Sequence, residues 1–224
     1  MSEASEQLDN QLYPSPYTSA LIEVIGITKL PMGLACEVGV GSGVCLLRLA
    51  QIGYDQLYGS DINTQNLTAT RELFAAYAPD VSLELFQGDL WQAYEQQCFA
   101  VVIANLPHFP GEVINLERPV GWQGGPGRDV MDRFLRGLSR YLNRDGVALI
   151  THHDLVGLKH TERLLDEIGL QAEAIKRWTV YESRARMASV KPPSLIDTCP
   201  TINHVGPYSF VESKILKITH KVVA

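Results

Sequence analysis

The sequence predicts an α/β protein wound on a mostly parallel sheet. Three observations carry that expectation. From residue 34 onward, short apolar runs alternate with amphipathic stretches of about 10–15 residues, the rhythm of strand–helix–strand units. The first run ends in the glycine-rich turn Gly39-Val40-Gly41-Ser42-Gly43, which opens a helical pattern. Acids then stand at the ends of the next two runs, at Asp61 and Asp89.

Each element has its own local reason. Residues 1–12 are polar and read as a loose tail. Pro14-Ser15-Pro16-Tyr17-Thr18 is stiffened by two prolines, and Thr18 or Ser19 is the expected cap of a helix to about Ile25. Residues 1–33 are thus expected to form a tail, a proline-braced lid segment and a helix ahead of a main domain at 34–224. Within that domain, strands are expected near 34–39, 56–60, 81–86, 99–104, 146–151, 172–180 and 210–219. Helices are expected near 43–52, 64–77, 127–142 and 157–168, with Asn143-Arg144-Asp145-Gly146 as a turn and Gly169 as a helix stop. No helical pattern separates the last two of the seven strands, so they should pair antiparallel. The long loops 105–126 and 181–209 have the length that usually marks function, the first as a second part of the lid.

Composition narrows the class. The chain has 224 residues, 46% hydrophobic and 20% charged, enough to bury a core. A net charge of −6 works against a broad grip on a phosphate backbone, so nucleic acid is a disfavoured partner. The four cysteines form no CxxC pair and have no metal-ligand spacing, which suits reduced thiols. The acidic start lacks the basic and apolar regions of a signal peptide, and no apolar run reaches the ~18 residues of a membrane span. A cytoplasmic protein without membrane partners is expected.

The glycine turn admits competing readings. A dinucleotide fingerprint would require a third glycine at position 44, where Val44 stands. A phosphate-binding P-loop would require a following Lys-Ser/Thr, which is missing. A tight strand-to-helix turn without a ligand is the plain alternative. The acids add to the turn. Asp61, eighteen residues beyond Gly43, ends the second strand where a carboxylate can accept from ribose hydroxyls, and Asp89 ends the third where it can accept from an adenine amino group. Either acid taken alone also suits a helix cap.

Taken as a set, Glu37-Val38-Gly39-Val40-Gly41-Ser42-Gly43, Asp61 and Asp89 resemble class I S-adenosylmethionine-dependent methyltransferases over about residues 34–180. The resemblance implies a Rossmann-like, seven-stranded fold with an antiparallel last strand. It also implies S-adenosyl-L-methionine as cofactor, held by Glu37, Gly39, Val40, Gly41, Gly43, Asp61, Ile62, Asp89, Leu90, Asn105 and Thr18. Asn105-Leu106-Pro107-His108, after the fourth strand, looks like the Asn-Pro-Pro-Tyr tetrapeptide of methyltransferases acting on planar or amide nitrogens, with Leu106 for a proline and His108 for the aromatic. Pro14–Thr18 and Gly124–Val130 are similar to two further segments of the HemK-like family, which methylates a glutamine of release factors. With about 33 residues ahead of the first strand, a counterpart of that family's helical N-terminal substrate domain is not expected.

The tetrapeptide suits nitrogen chemistry. The lone pair of an amide or aromatic amine is spread into a π system, and two acceptors on its hydrogens can localise it. The Asn105 side-chain oxygen and the Leu106 carbonyl are the candidate acceptors, Pro107 stiffens the turn, and the His108 ring can stack on a planar group. The methyl acceptor is then an amide or amino nitrogen of a protein, peptide or small molecule. A nucleobase methyltransferase and an inactive cofactor-binding protein of the same fold remain alternatives. His152 and His153, after the fifth strand, are candidates for a base or for a strand end and cap. Trp122 and Trp178 suit a pocket or packing. The basic run Lys176–Arg186 suits a solvated face more than a contact with RNA or an acidic partner. No metal site is expected.

Overall fold

The computed structural model describes residues 15–94, 97–111 and 127–222. The chain divides into two compact units, Met1–Asn105 and Leu106–Ala224.

In the first unit, helix α1 (Pro16–Ile27) precedes strand β1 (Ala35–Val38), α2 (Val44–Gln51), β2 (Gln56–Asp61), α3 (Thr64–Tyr77), β3 (Ser82–Gln87) and β4 (Phe99–Ala104). The strands lie in the order β3-β2-β1-β4, and every pairing is parallel. Burial follows position. The Ala-Cys-Glu-Val and Phe-Ala-Val-Val-Ile-Ala segments of β1 and β4 are buried throughout, as strands covered on both faces must be. β3 alternates between exposed and half-buried residues, as an edge strand does.

Helix α1 starts earlier than the expected cap. Ser15, not Thr18 or Ser19, is the N-cap, and its hydroxyl accepts from the Thr18 N–H. Pro16 takes the first helical position, where its missing N–H costs nothing. Ala20, Leu21, Val24 and Ile25 form the buried face. Pro14 and the tail lie outside the described residues.

The second unit contains α4 (Asp129–Tyr141), β5 (Leu142–His153), α5 (Leu158–Glu167), β6 (Leu170–Glu182), α6 (Arg184–Ser189), α7 (Ser194–Thr198), β7 (Asn203–Val205) and β8 (Tyr208–His220). β8 pairs antiparallel with β5, β6 and β7, so the last strand runs as expected. Three details differ from the sequence reading. β5 begins at Leu142, because Asn143, Arg144 and Asp145 stay extended and exposed instead of turning. The 181–209 segment holds two short helices and the additional strand β7. Part of that segment packs into a small core of Leu155, Met187, Val190 and Val211, with Phe109, Leu195 and Ile196 against it. Scattered single apolar residues give no 3.6-residue pattern, which is why the segment reads as a loop.

Candidate active site

The parallel pairings bring the C-terminal ends of β1, β2, β3 and β4 to one edge of the first unit. Strand order reverses between β1 and β4, the point at which open α/β sheets bind ligands. All eleven residues expected to hold a cofactor belong to this unit.

The loop after β1 is pinned to β2. The Gly39 and Val40 amides both donate to the Ser60 carbonyl, at 2.8 and 3.0 Å, and Gly43 N–H closes the turn on the Val40 carbonyl at 2.8 Å. Gly41 and Gly43 have φ of +50° and +72°, a region that a side chain enters at a cost. A Cβ at Gly43 would also lie 2.6 Å from the Thr70 side chain, whereas a Cβ at Gly41 would meet nothing within 4 Å. The loop is therefore packed beneath Gly43 and open over Gly41.

Asp61 is the hub beside it. Its Oδ2 accepts from the Gly41 N–H at 3.0 Å and from Asn66 Nδ2 at 3.1 Å, and its Oδ1 accepts from the Asn63 N–H at 2.9 Å. A carboxylate has about four lone-pair positions, so three internal bonds fix its orientation and leave capacity for one more donor. Asn63 in turn caps α3 through the Gln65 N–H at 2.9 Å. Ile62, next in the chain, is 64% exposed, an apolar side chain at the rim of the sheet edge.

Asp89 follows β3 and is half-buried. Leu90 begins a single 3-10 turn (Leu90–Ala93) with φ +53°. A bulky residue in the left-handed region is strained by about 1–3 kcal/mol and marks a place where backbone direction is being fixed. Glu37, by contrast, is buried. Its Oε2 accepts from the Leu46 N–H at 3.3 Å, and the Cys45 thiol lies against it. Burial pushes its pKa up to about 8, so at neutral pH it is chiefly a neutral acid bracing the first turn of α2.

Asn105 closes β4 and is half-buried. Its Nδ2 donates to the Thr18 hydroxyl at 3.1 Å, which places the start of α1 against the end of β4. Thr18 Oγ1 is 3.1 Å from Ser15 Oγ. Sequence reasoning missed Ser15 and Asn66. A serine directly before a proline at a helix start, and an asparagine one turn into α3, were the available signals.

In the second unit, the continuation Leu106-Pro107-His108 is held by its own histidine. His108 is 7% exposed, and its Nδ1 lies 2.5 Å from the Leu106 carbonyl. Burial holds its pKa down at about 4, so the ring is neutral and Nδ1–H donates to that carbonyl. The His108 ring lies 6.4 Å from that of His153. His153 accepts the Leu155 N–H at Nδ1 and so donates from Nε2 to Glu182 at 3.1 Å; Glu182 also pairs with Arg186 at 2.7 Å. The Arg186 guanidinium covers the Phe109 ring at 4.1 Å. The stacking role expected of His108 thus meets a ring that is buried and engaged with its own backbone, while Pro107 is half-buried beside it.

Of the two readings of His152 and His153, the strand end and cap is the one found: they close β5, His153 caps the following 3-10 turn through the Leu155 N–H, and at 0% and 1% exposure neither presents a base. Arg128 donates to Thr161 Oγ1 at 2.7 Å, that oxygen lies 3.0 Å from His152 Nε2, and burial holds the imidazole neutral. Arg177 pairs with Glu212 at 2.8 Å, so two arginines of the basic run face carboxylates. Trp122, Gly124–Pro126 and most of the 105–126 loop lie outside the described residues. Among the described residues no acid, histidine and cysteine group could hold a metal, and no helix is long and apolar enough to cross a membrane.

No family model matches the chain. It is 31% identical over 148 residues to a Methanocaldococcus jannaschii protein named "Putative protein N5-glutamine methyltransferase", covering 64% of this chain and 74% of that one. It is 28% identical over 177 residues to the ribosomal protein L11 methyltransferase of Staphylococcus aureus, covering 71% of this chain and 56% of that protein's length. Among solved structures, a ribosomal protein L11 methylase from Lactobacillus delbrueckii subsp. bulgaricus shares the fold at TM-score 0.54 and 16% identity, over 98% of this chain and 80% of that one.

Proposed function

The chain belongs to the class I S-adenosylmethionine-dependent methyltransferases and has their fold, and from that premise we propose that it methylates an amide or amino nitrogen of a protein or peptide. The observation that carries this reading is Asn105, held at the end of β4 by Thr18.

The first unit suits the cofactor. A Cβ at Gly41 would meet only open space, so a ligand can approach the backbone there. Asp61 retains acceptor capacity for a ribose hydroxyl, Asp89 offers a carboxylate to an adenine amino group, and exposed Ile62 offers an apolar cover. Gly39, Val40, Gly43 and Leu90 shape the backbone around it, and Glu37 braces the loop from beneath. When bound, S-adenosylmethionine supplies a methyl group on a sulfonium, whose carbon–sulfur electrons return to sulfur as the acceptor nitrogen's lone pair forms the new bond.

The chain's own residues prepare that nitrogen. The Asn105 side-chain oxygen accepts from one N–H of an incoming NH2 group, and the Leu106 carbonyl accepts from the other. Two acceptors on its hydrogens draw the nitrogen out of the plane of its amide and localise its lone pair. A carbonyl oxygen has two lone pairs, so Leu106 can serve the substrate while it accepts from His108. The nitrogen becomes acidic as its fourth bond forms, and its proton leaves to water without a dedicated base. The relatives named for glutamine and for ribosomal protein L11 support a protein acceptor.

The test is to offer methyl-labelled S-adenosylmethionine with peptides bearing glutamine, lysine or a free N-terminus, and to locate label by mass spectrometry. Label on a nitrogen supports the proposal. Label on oxygen or carbon, or turnover unchanged in Asn105→Ala, overturns it.

A further inference from the structure

We propose that Thr18 is a positioning residue that sets which end of the Asn105 amide faces the substrate, and that the N-cap of α1 gives it that direction. The inference rests on the reading that the Asn105 oxygen accepts from the methylated NH2 group.

The two ends of an asparagine amide have nearly the same shape but opposite hydrogen-bonding character. A half-turn about the last side-chain bond would present NH2 to an incoming NH2, a donor against donors. A hydroxyl alone does not choose between these states, because it can donate to Oδ1 or accept from Nδ2. Ser15 offers the Thr18 hydroxyl proton another acceptor. Its Oγ already accepts from the Thr18 N–H at 3.2 Å and lies 3.1 Å from Thr18 Oγ1. When the one hydroxyl proton of Thr18 points to Ser15 Oγ, Thr18 Oγ1 can act toward Asn105 only as an acceptor. It then selects the Nδ2 end, found at 3.1 Å, and turns Oδ1 the other way.

Ser15 is 8% exposed and Thr18 half-buried, so water competes for the Ser15 hydroxyl less than at an open helix start. The polarity of a helix start is in this way passed through two hydroxyls to an amide 87 residues away in sequence. Thr18 therefore belongs with the acceptor machinery more than with the cofactor contacts that the sequence resemblance implies.

The experiment compares Thr18→Val, which keeps the shape and removes the hydroxyl, with Thr18→Ser, which keeps the hydroxyl. The Asn105 side-chain NH2 signals are followed by 15N NMR, assigned by their loss in Asn105→Ala, and S-adenosylhomocysteine affinity is measured by calorimetry. Thr18→Val should move the Asn105 NH2 signals, leave S-adenosylhomocysteine affinity within about threefold, and lower turnover on a glutamine peptide on the order of 10-fold, while Thr18→Ser restores both signals and turnover. Unmoved Asn105 signals in Thr18→Val, or no restoration by Thr18→Ser, would overturn the inference. So would a loss of homocysteine-ligand affinity beyond tenfold, which would make Thr18 a cofactor contact. Label found on oxygen or carbon would instead defeat the nitrogen reading, whatever the NMR result.

Discussion

Asp61 holds three hydrogen bonds before any ligand arrives, two from backbone amides and one from Asn66. In the proposed site a ribose hydroxyl would meet a carboxylate that needs no reorientation, which is where binding free energy is usually lost. Asp61→Ala should weaken S-adenosylhomocysteine binding by about 1–3 kcal/mol, both through the lost charged hydrogen bond and through the freed Gly41 amide. Calorimetry checks this, and unchanged affinity would remove Asp61 from the site. His108 carries a different expectation. Its neutral ring donates to the Leu106 carbonyl, so His108→Phe, which keeps a ring and loses the donor, should cost about 0.5–1.5 kcal/mol of stability at pH 7. The sign with pH follows from its depressed pKa. Between the ordinary histidine value and about 4 the unfolded chain binds the proton and the folded one does not, so wild-type stability falls as pH drops through that window. The gap between wild type and His108→Phe in thermal unfolding should therefore narrow from pH 7 to pH 4.

Helix starts are the elements on which the site depends. α1 brings Ser15 and Thr18 to Asn105, α2 rises from the glycine loop, and α3 begins beside Asp61 with Asn63 as its cap. Glu37 ties β1 to α2, and the tie has a pH signature. With the folded pKa near 8 and the unfolded one near the ordinary value, the folded state keeps a proton that the unfolded state has lost. Stability contributed at this point is then lost as pH rises from about 4.5 to about 8. Glu37→Gln retains an acceptor for the Leu46 N–H and cannot ionise. Its melting temperature relative to wild type should rise steadily from pH 5 to pH 8; a flat difference would show that Glu37 titrates normally. The helix starts also show where sequence reading is weakest. Ser15 is a better cap than Thr18 only because Pro16 sits at the first helical position and Thr18's own amide needs an acceptor three residues back.

At the scale of the whole molecule, the central β1–β4 strands were legible because continuous apolar runs have few alternatives. The glycine turn and the two acids at strand ends pointed to the same edge for the same reason: parallel winding puts every strand end there. The 183–205 segment was not legible, because its small core is assembled from residues far apart in the chain, such as Phe109, Met187 and Val211. The His108–Leu106 bond was hidden too, since no spacing rule tells whether a histidine after a proline faces outward or folds back on its own backbone. The two ionisation windows oppose each other between about pH 4.5 and 6.5, Glu37 favouring acid and the buried histidines favouring base. If Asn105 positions a nitrogen for methylation while the cofactor is held elsewhere in the first unit, incubating wild type and Asn105→Ala with 13C-methyl S-adenosylmethionine and a glutamine peptide, and reading the labelled atom by tandem mass spectrometry, separates the two roles. Label should lie on the side-chain nitrogen in wild type and be at least about 10²-fold less in the variant, with S-adenosylhomocysteine affinity within a few-fold. Label on oxygen or carbon, or equal labelling by the two proteins, would contradict the role given to Asn105.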